Sequence, residues 1–235
     1  MVKKAVCLIS GGIDSCVTAY LAKKESFEIY ALTINYRQRH KKEIDCAKSV
    51  SYDIGAKDHI ITNIDFSNFA GSSLVDKSLE PEMDRHLDEI RKIIPSTYVP
   101  ARNTVFLSIA LSYAETIDAD AIFIGATSTD YSGYPDCRPE FIKAFQKLSN
   151  LATKKGIEDK SIEIKAPLIQ MSKAEIIKKG LKLGADFKKT WSCYMGEKKA
   201  CGRCDSCLLR LKGFKEAGIK DPLEYESFPD WYKTL

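Results

Sequence analysis

Several features that would place a chain in a familiar class are absent from this sequence of 235 residues. No apolar run approaches the ~18 uninterrupted residues of a membrane span, which excludes a transmembrane segment. The first residues, Met1 to Lys4, lead directly into an apolar stretch, so we expect no signal peptide, no membrane partner and a cytoplasmic location. Internal repeats and low-complexity linkers are also missing, which argues against a repeat protein.

A strong excess of one charge is missing too, as are two common nucleotide-binding patterns. The net charge of +4 is too small to indicate nucleic-acid binding by itself. Neither G-x-x-x-x-G-K-[ST] nor G-x-G-x-x-G occurs in the chain. With 44% hydrophobic and 29% charged residues, the composition is that of a globular protein able to bury a sizeable core.

Cysteine, in contrast, is present in an informative pattern. Eight cysteines in a chain without an export signal indicate a reducing compartment and a metal site in preference to disulfides. Four of them have the spacing C-x7-C-x2-C-x2-C, which suits a closed tetrahedral zinc site: Cys193, Cys201, Cys204 and Cys207. We expect one structural zinc ion per chain, with an iron–sulfur cluster as the alternative.

Apolar runs alternate with helical patterns along most of the chain. The runs predict strands over 5–9, 29–34, 59–64, 121–124 and 162–165, and the patterns predict helices over 14–24, 41–54, 102–117, 139–155 and 173–183. Helix 102–117 is apolar almost all round and is expected to be deeply buried. Gly156 is expected to close helix 139–155, while Ser172 and Glu175 form a capping box. This alternation predicts an α/β fold with a doubly wound parallel sheet of about five strands.

The alternation of strand and helix patterns is absent from two parts of the chain, an internal segment and the C-terminal part. Segment 65–100 contains three prolines and one helical stripe, and it is either a lid over the site or a structural insertion. After Gly184 cysteines and small polar residues replace the alternation. We therefore predict an α/β domain at 1–184 and a zinc-binding C-terminal appendage at 185–235, with a helix over 208–215.

The junction between the first strand and the first helix carries two glycines and two hydroxyls: Ser10-Gly11-Gly12-Ile13-Asp14-Ser15. Glycine lets the backbone approach a ligand closely, and the helix N-terminus adds partial positive charge. This predicts a phosphate site, with Asp14 as an N-terminal helix residue or as a ligand for Mg²⁺ between phosphates. The segment resembles the PP-loop of the ATP pyrophosphatases, which cleave ATP between the α- and β-phosphates. Residues 10–15 are called the PP-loop below.

A second loop, 125–138, follows the fourth predicted strand and is expected beside the PP-loop where the strand order reverses. Tyr131 and Tyr134 can stack on a planar ring, and Asp130 and Asp136 can accept hydrogen bonds from a guanine-like edge. Arg138 can clamp a carboxylate. We predict that this loop binds the substrate.

Several motifs taken together resemble the 7-cyano-7-deazaguanine synthase family over essentially the whole chain. They are the loop 130–141, the segment Gln38-Arg39-His40, and the segments 99–103, 191–194 and 201–207. One departure is Arg37, where the family pattern has glycine. The resemblance implies a cytoplasmic ATP-dependent carbon–nitrogen ligase of queuosine or archaeosine synthesis that acts on 7-carboxy-7-deazaguanine and ammonia.

The resemblance also implies the course of the reaction. The carboxylate is adenylated, ammonia displaces AMP, and the amide is adenylated again before the nitrile forms. Two ATP give AMP and pyrophosphate with Mg²⁺, and a homodimer without direct nucleic-acid contact is expected. Lys165 and Lys173 are predicted to stabilise α-phosphate charge, and Arg39 joins the predicted substrate site. The predicted ATP site adds four residues to the PP-loop: Ile9, Cys16, Arg102 and Gly125.

Two other functions stay open on the sequence. A PP-loop tRNA sulfurtransferase would need a tRNA-binding domain or a strongly basic face, and neither is evident. A zinc-ribbon nucleic-acid-binding protein without catalysis would leave the PP-loop unexplained, and its RNA binding would be sensitive to salt.

Overall fold

The computed structural model describes residues 2–38, 42–67, 71–90, 94–128, 134–196 and 198–232. At its centre is a five-stranded parallel sheet with the order β3-β2-β1-β4-β5. The strands are β1 (Lys4–Leu8), β2 (Glu28–Asn35), β3 (Asp58–Asn63), β4 (Ala121–Phe123) and β5 (Glu163–Lys165). Each strand lies within one residue of its predicted bounds, and the predicted α/β class is confirmed.

The strand order reverses at β1, and this reversal positions the site. From β1 the chain moves outward to β2 and β3, then returns to the other side of β1 for β4 and β5. Cys7 of β1 is in register with Phe123 of β4. The loops that leave these two strands therefore begin side by side, at the place where open α/β sheets form a binding crevice.

The described residues form eight α-helices, and helices lie on both faces of the sheet. They are α1 (Ile13–Lys24), α2 (Lys42–Ile54), α3 (Leu87–Ile90), α4 (Arg102–Thr116), α5 (Pro139–Ala152), α6 (Lys154–Ile157), α7 (Lys173–Lys182) and α8 (Asp205–Ala217). Ala5 and Cys7 of β1 pack with α1, α2 and α7, whereas Val6 and Leu8 pack with α4 and α5. Alternate residues of one strand thus pack against helices on opposite faces of the sheet, as a doubly wound sheet requires. None of these described helices is both long and apolar enough to cross a bilayer.

Two helix predictions need correction. The helix predicted over 139–155 ends at Ala152, because the Thr153 hydroxyl accepts the Gly156 N–H at 3.0 Å and starts α6. Gly156 is therefore not a helix end; a Cβ there would lie 2.1 Å from the Asn150 carbonyl oxygen. Helix α4 is buried along one face only, the face that includes Leu107 and Leu111. Its remaining apolar residues are partly exposed or pack under neighbouring loops.

The C-terminal segment packs tightly on the α/β layers. Helix α8 begins at Asp205, three residues earlier than predicted, directly after Cys204. Its Phe214 packs edge-to-face on Phe187 with ring centroids 5.7 Å apart, inside the same cluster as β1 and α1. The capping box of Ser172 and Glu175 at the start of α7 is confirmed. The boundary between residues 184 and 185 stays a prediction.

Segment 65–100 contains little regular structure among its described residues. Its helix α3 packs Ile90 against Leu208 and Leu209 of α8. An earlier part packs Leu74 against Tyr36 at the end of β2. The segment therefore connects the end of the sheet with α8.

Candidate active site

The PP-loop is held in shape by its own hydroxyls. The Ser10 N–H donates to the Ser15 hydroxyl at 3.1 Å, and that hydroxyl donates to the Gly12 carbonyl at 3.1 Å. Gly12 is the N-cap of α1, and no side chain accepts a hydrogen bond there from the first turn of the helix. The first N–H groups of α1 are therefore available to an anion, as the sequence predicts.

Gly11 fixes the PP-loop against two other parts of the chain. Its φ of +85° is in the left-handed region, and a Cβ on it would lie 2.2 Å from the Glu43 carbonyl oxygen of α2. On its other side, the Gly11 carbonyl accepts the Trp191 N–H at 2.9 Å. Only glycine allows this close approach, which brings α2 and the segment preceding the cysteines to the loop.

A cavity of about 290 Å³ opens at the reversal point of the sheet. Its walls are the PP-loop, the ends of β1 and β2, the loop after β4, the start of α4 and segment 191–194. Most of the predicted ATP site lines this cavity, namely Ile9, Ser10, Gly12, Ile13, Asp14, Ser15, Arg102 and Gly125. Tyr134 and Lys173 line it as well.

Asp14 and Lys173 form an ion pair in the cavity wall. The Lys173 Nζ lies 2.7 Å from both oxygens of Asp14. Lys173 is the first residue of α7, so the capping box before it fixes its direction. Gly213 of α8 leaves room for the lysine stem, since a Cβ there would lie 2.3 Å from the Lys173 Cγ. This places a cation beside the PP-loop.

Other predicted site residues lie away from the described cavity walls. Gly11 supports the loop from behind, and Cys16 is buried within α1. At the end of β5, the Lys165 Nζ contacts Glu25 at 2.8 Å. Arg138 is exposed. Arg39, Asp130 and Tyr131 lie outside the described residues.

Asp136 is buried at the start of α4. Its Oδ2 accepts the Asn103 N–H at 2.9 Å, and the Asn103 side chain donates to the Asp136 carbonyl at 3.0 Å. The carboxylate thus satisfies a first-turn N–H of α4, where negative charge is favoured by the helix dipole. Asp136 is not among the described residues that line the cavity. It holds the neighbouring Arg102 in place through the helix.

Arg102 and Glu43 bring opposite charges into the cavity wall. The Arg102 Nη1 donates to the Tyr36 hydroxyl at 3.2 Å. Burial raises the pKa of Glu43 to about 7, although the charge of Arg102 and a hydrogen bond from Gln38 lower it; the charge of Cys193 raises it further. The Gln38 side-chain oxygen in turn accepts the Tyr36 N–H at 3.0 Å. Gln38 is therefore oriented to donate its amide N–H to Glu43.

The sequence analysis missed Glu43. Its position in the first turn of the helix after the second strand was the available signal. That helix begins at the same sheet edge as the PP-loop, because β2 is parallel to and paired with β1.

The four predicted metal ligands meet in one buried cluster. The sulfurs of Cys193, Cys201, Cys204 and Cys207 all lie within 4.8 Å of one another, and two of them, in Cys201 and Cys207, are 3.9 Å apart. A tetrahedral shell with metal–sulfur bonds of about 2.3 Å spaces its sulfurs by about 3.8 Å. Backbone N–H groups of Gly196 and Cys201 donate to the Cys193 sulfur at 3.0 and 3.2 Å. Such donors stabilise thiolate charge, so the cluster fits a four-thiolate metal site.

The cluster is mechanically joined to the cavity. Cys193 belongs to the cluster and also lines the cavity. Buried Arg210 of α8 donates to both oxygens of Asp221 at 2.7 and 3.0 Å, and to the Thr190 hydroxyl at 2.9 Å. Segment 190–193 is therefore held from the side of α8 and from the side of the PP-loop.

A glycine turn between the first strand and the first helix, at the point where the strand order of a parallel α/β sheet reverses, is a feature of the PP-loop class of nucleotide-using enzymes, and this chain has it. The family model of the "Queuosine biosynthesis protein QueC" matches residues 4–218. A relative named 7-cyano-7-deazaguanine synthase, from Geobacter sp. (strain M21), is 52% identical over 228 residues, which cover 96% of this chain and 99% of the relative. A relative of the same name from Thermoplasma acidophilum is 50% identical over 231 residues, covering 98% of this chain and 95% of the relative.

The chain belongs to this queuosine biosynthesis family, and it is an enzyme of the ligase type. The sequence-based family resemblance is thereby confirmed. Among solved structures, NMN synthetase from Francisella tularensis is a distant likeness, with a TM-score of 0.49 and 17% identity over 93% of this chain and 79% of that one.

Proposed function

We propose that this chain converts 7-carboxy-7-deazaguanine and ammonia to 7-cyano-7-deazaguanine at the expense of two ATP, each giving AMP and pyrophosphate. Membership of the queuosine family supports the product. The observation that carries the proposal is that the PP-loop and Arg102 face one cavity. Adenylation requires the α-phosphate and the acid in contact, and a shared cavity supplies that proximity.

The bond changes divide the reaction into two halves. A carboxylate oxygen attacks the α-phosphorus and pyrophosphate leaves; ammonia then attacks the carbon and AMP leaves with that oxygen. The amide oxygen attacks the second ATP and pyrophosphate leaves. The amide nitrogen then loses both of its protons, and AMP departs with the oxygen as the nitrile forms. Both carboxylate oxygens depart on AMP, and no water is consumed. The protein therefore has to align reactants, stabilise charge and accept protons.

The nucleotide half of the site is assigned to the PP-loop and the lysines. The PP-loop N–H groups bind the departing pyrophosphate, with Ile9, Arg102 and Gly125 completing the ATP site. Cys16, also predicted there, supports the loop from within α1. Lys173 stabilises charge on the α-phosphate, and exchanging its contact from Asp14 to phosphate is the movement this role requires. Lys165 is proposed for the same charge, which requires its ion pair with Glu25 to open.

The loop after β4 and the residues around it are proposed to bind the substrate acid, 7-carboxy-7-deazaguanine. Tyr131 and Tyr134 stack on the ring, and Asp130 accepts from the guanine edge. Asp136, which the sequence also predicts at that edge, instead fixes the start of α4 beside it. Arg39 and Arg138 complete the proposed substrate site. Tyr134 is supported by its place in the cavity wall.

Two metals are part of the proposal. Cys193, Cys201, Cys204 and Cys207 would hold one structural zinc ion, which uses all four ligand positions and supplies folding energy. Mg²⁺ would arrive with the ATP phosphates and neutralise their charge, with the Asp14 carboxylate as its nearest protein ligand. We propose a cytoplasmic homodimer without direct nucleic-acid contact, built from an α/β domain at 1–184 and an appendage at 185–235.

The test is to incubate the protein with ATP, Mg²⁺, ¹⁵N-ammonium and 7-carboxy-7-deazaguanine. We expect about two AMP and two pyrophosphate per product, and a nitrile that carries the ¹⁵N label in its mass. Reactions without ammonium and with an acid that lacks the guanine edge are the controls. ADP as the nucleotide product would contradict the assignment of the PP-loop, and unlabelled or absent nitrile would contradict the reaction.

A further inference from the structure

The proposed reaction makes an unusual demand on proton transfer, and the following inference rests on that reaction. Nitrogen arrives as ammonia or ammonium and ends as a nitrile, so every N–H bond is broken. One proton leaves as ammonia attacks the acyl adenylate, and the two N–H protons of the amide leave between its adenylation and the formation of the nitrile. A group facing the reacting carbon has to receive these protons.

Few of the described groups in the cavity wall can accept a proton from the incoming nitrogen. No histidine is among the described residues that line it, and its described carboxylates are Asp14 and Glu43. Both oxygens of Asp14 are in contact with the Lys173 ammonium, and when that lysine moves to the phosphate the proposed reaction assigns Asp14 to Mg²⁺. Burial raises the pKa of the Cys137 thiol to about 11 and that of Tyr36 to about 12, so both stay protonated and accept no proton.

Glu43 starts beside the PP-loop and lines the same cavity. Its own carbonyl oxygen would be 2.2 Å from a Cβ on Gly11, so the first turn of α2 touches the PP-loop. The carbon under attack is bonded through one oxygen to the α-phosphorus. A side chain that starts at this turn and lines the same cavity therefore reaches the neighbourhood of the reacting carbon.

A hydrogen bond from Gln38 also orients the Glu43 carboxylate. Gln38, whose oxygen is occupied by the Tyr36 N–H, donates to the Glu43 carboxylate. A base held by a second polar group is the arrangement that positioned proton acceptors use. The charge of Arg102 opposes the effect of burial on the pKa of Glu43 and favours the carboxylate form.

We propose that Glu43 is the proton acceptor for the incoming nitrogen. As the nitrogen lone pair bonds to the carbon of the acyl adenylate, an N–H proton passes to a Glu43 oxygen and the bond to AMP breaks. The carboxyl releases that proton to solvent before the second half. The adenylated amide loses one N–H proton to solvent. When AMP then leaves, the last N–H proton passes to the same Glu43 oxygen as the nitrile forms. A pKa near neutrality suits a group that accepts and then releases a proton in each cycle.

The experiment separates adenylation from the nitrogen steps. Exchange of labelled pyrophosphate into ATP, with 7-carboxy-7-deazaguanine but no ammonium, reports adenylation alone. Amide and nitrile formation with saturating ammonium report the nitrogen steps. We compare the full zinc-loaded chain with Glu43→Gln, Glu43→Asp and Asp45→Asn. The last removes an exposed carboxylate from the same helix and is the matched control.

Glu43→Gln is expected to slow amide and nitrile formation by about 100-fold or more, the scale of general base catalysis, while exchange stays within about threefold. Glu43→Asp should recover part of the loss, and Asp45→Asn should behave as the unchanged protein. Equal loss of exchange and product would overturn the inference by assigning Glu43 to binding, as would an undiminished product rate. If the unchanged protein exchanges pyrophosphate and forms no nitrile, the proposed function fails and the inference with it.

Discussion

Gly11 and Gly12 are adjacent, yet the structure requires glycine at them for different reasons. Gly11 has a positive φ and lies against the Glu43 carbonyl oxygen. Gly12 has an ordinary φ, and a Cβ on it would meet only the Ser10 hydroxyl at 3.5 Å and the Trp191 carbonyl oxygen at 3.8 Å. The fold depends on the first glycine, and access to the phosphate site depends on the second.

Gly12→Val is therefore expected to fold and to lose ATP use, because its side chain would extend into the cavity in front of the α1 N-terminus. Gly11→Ala is expected to lose stability, with about 1–2 kcal/mol from the left-handed backbone alone and more from the clash with α2. AMP release and thermal melting of both variants test this. A Gly12→Val protein that releases AMP at the normal rate would contradict the phosphate assignment.

The raised pKa of Glu43 leads to a prediction about how the free energy of unfolding depends on pH. Its pKa rises from 4.5 in the unfolded chain to about 7 in the folded protein. Between these values the folded chain holds a proton that the unfolded chain has released, so stability falls as pH rises through this window and is lowest above it. Glu43→Gln removes the titration. The variant should gain stability relative to the unchanged protein from pH 5 to pH 8, on the order of 2 kcal/mol, since one pKa unit is worth about 1.4 kcal/mol.

Urea unfolding at several pH values, with the metal content checked at each, measures this gain. A stability difference that is the same at pH 5 and pH 8 would mean that the Glu43 carboxyl is not perturbed in the folded state.

At the scale of the element, the start of α4 joins two loops to the cavity. Ala101 before the helix has a φ of +53°, Arg102 faces the cavity, and Asn103 is tied to Asp136. The loop after β4 is thus attached, through Asp136, to the helix that presents Arg102. A change in the loop is transmitted through the helix start.

Asp136→Ala should destabilise the protein by about 1–3 kcal/mol, because it leaves a buried first-turn N–H of α4 without its acceptor. Asp136→Asn keeps an oxygen at the same place and should lose less. Melting curves are to be compared with the KM for the acid and for ATP. An unchanged melting curve with a raised KM for the acid alone would assign Asp136 to direct contact with the substrate instead.

For the whole molecule, the cysteine cluster and the nucleotide site belong to one mechanical unit. Segment 190–193 is bonded to Gly11 on one side and to Arg210 on the other. Helix α8 packs its Phe214 within the cluster that contains β1. Loss of the metal is therefore expected to affect the sheet and the phosphate site, as well as the C-terminal segment.

Cys204→Ala, or removal of the metal with a chelator, should lower the melting temperature in a single transition and also weaken ATP use. The unchanged protein should be colourless and contain about one zinc ion per chain by mass spectrometry. A separate low-temperature transition with ATP use retained would instead describe an independent appendage. A brown protein with visible charge-transfer bands would indicate an iron–sulfur cluster.

The sequence by itself determined the features that are written locally. Each strand is a short stretch whose residue types and flanking turns specify it. The PP-loop is a six-residue string between a strand and a helix, and the four clustered cysteines lie within fifteen residues of chain. Such patterns depend on residues that are close together along the chain, so the sequence predicts them without knowledge of the fold. The same holds for the Ser172–Glu175 cap.

Only the tertiary structure decided which polar groups meet. Lys173 reaches Asp14 across 159 residues of chain, and Asn103 reaches Asp136 across 33. The sequence alone does not distinguish Glu43 from other polar residues of a helix. The packing of α2 on Gly11 is what brings Glu43 to the cavity. Hydrophobic periodicity reports which face of an element is buried, but not the partner of a charged side chain. That partner, and with it the pKa and the chemistry, is set by contacts that only the folded chain makes.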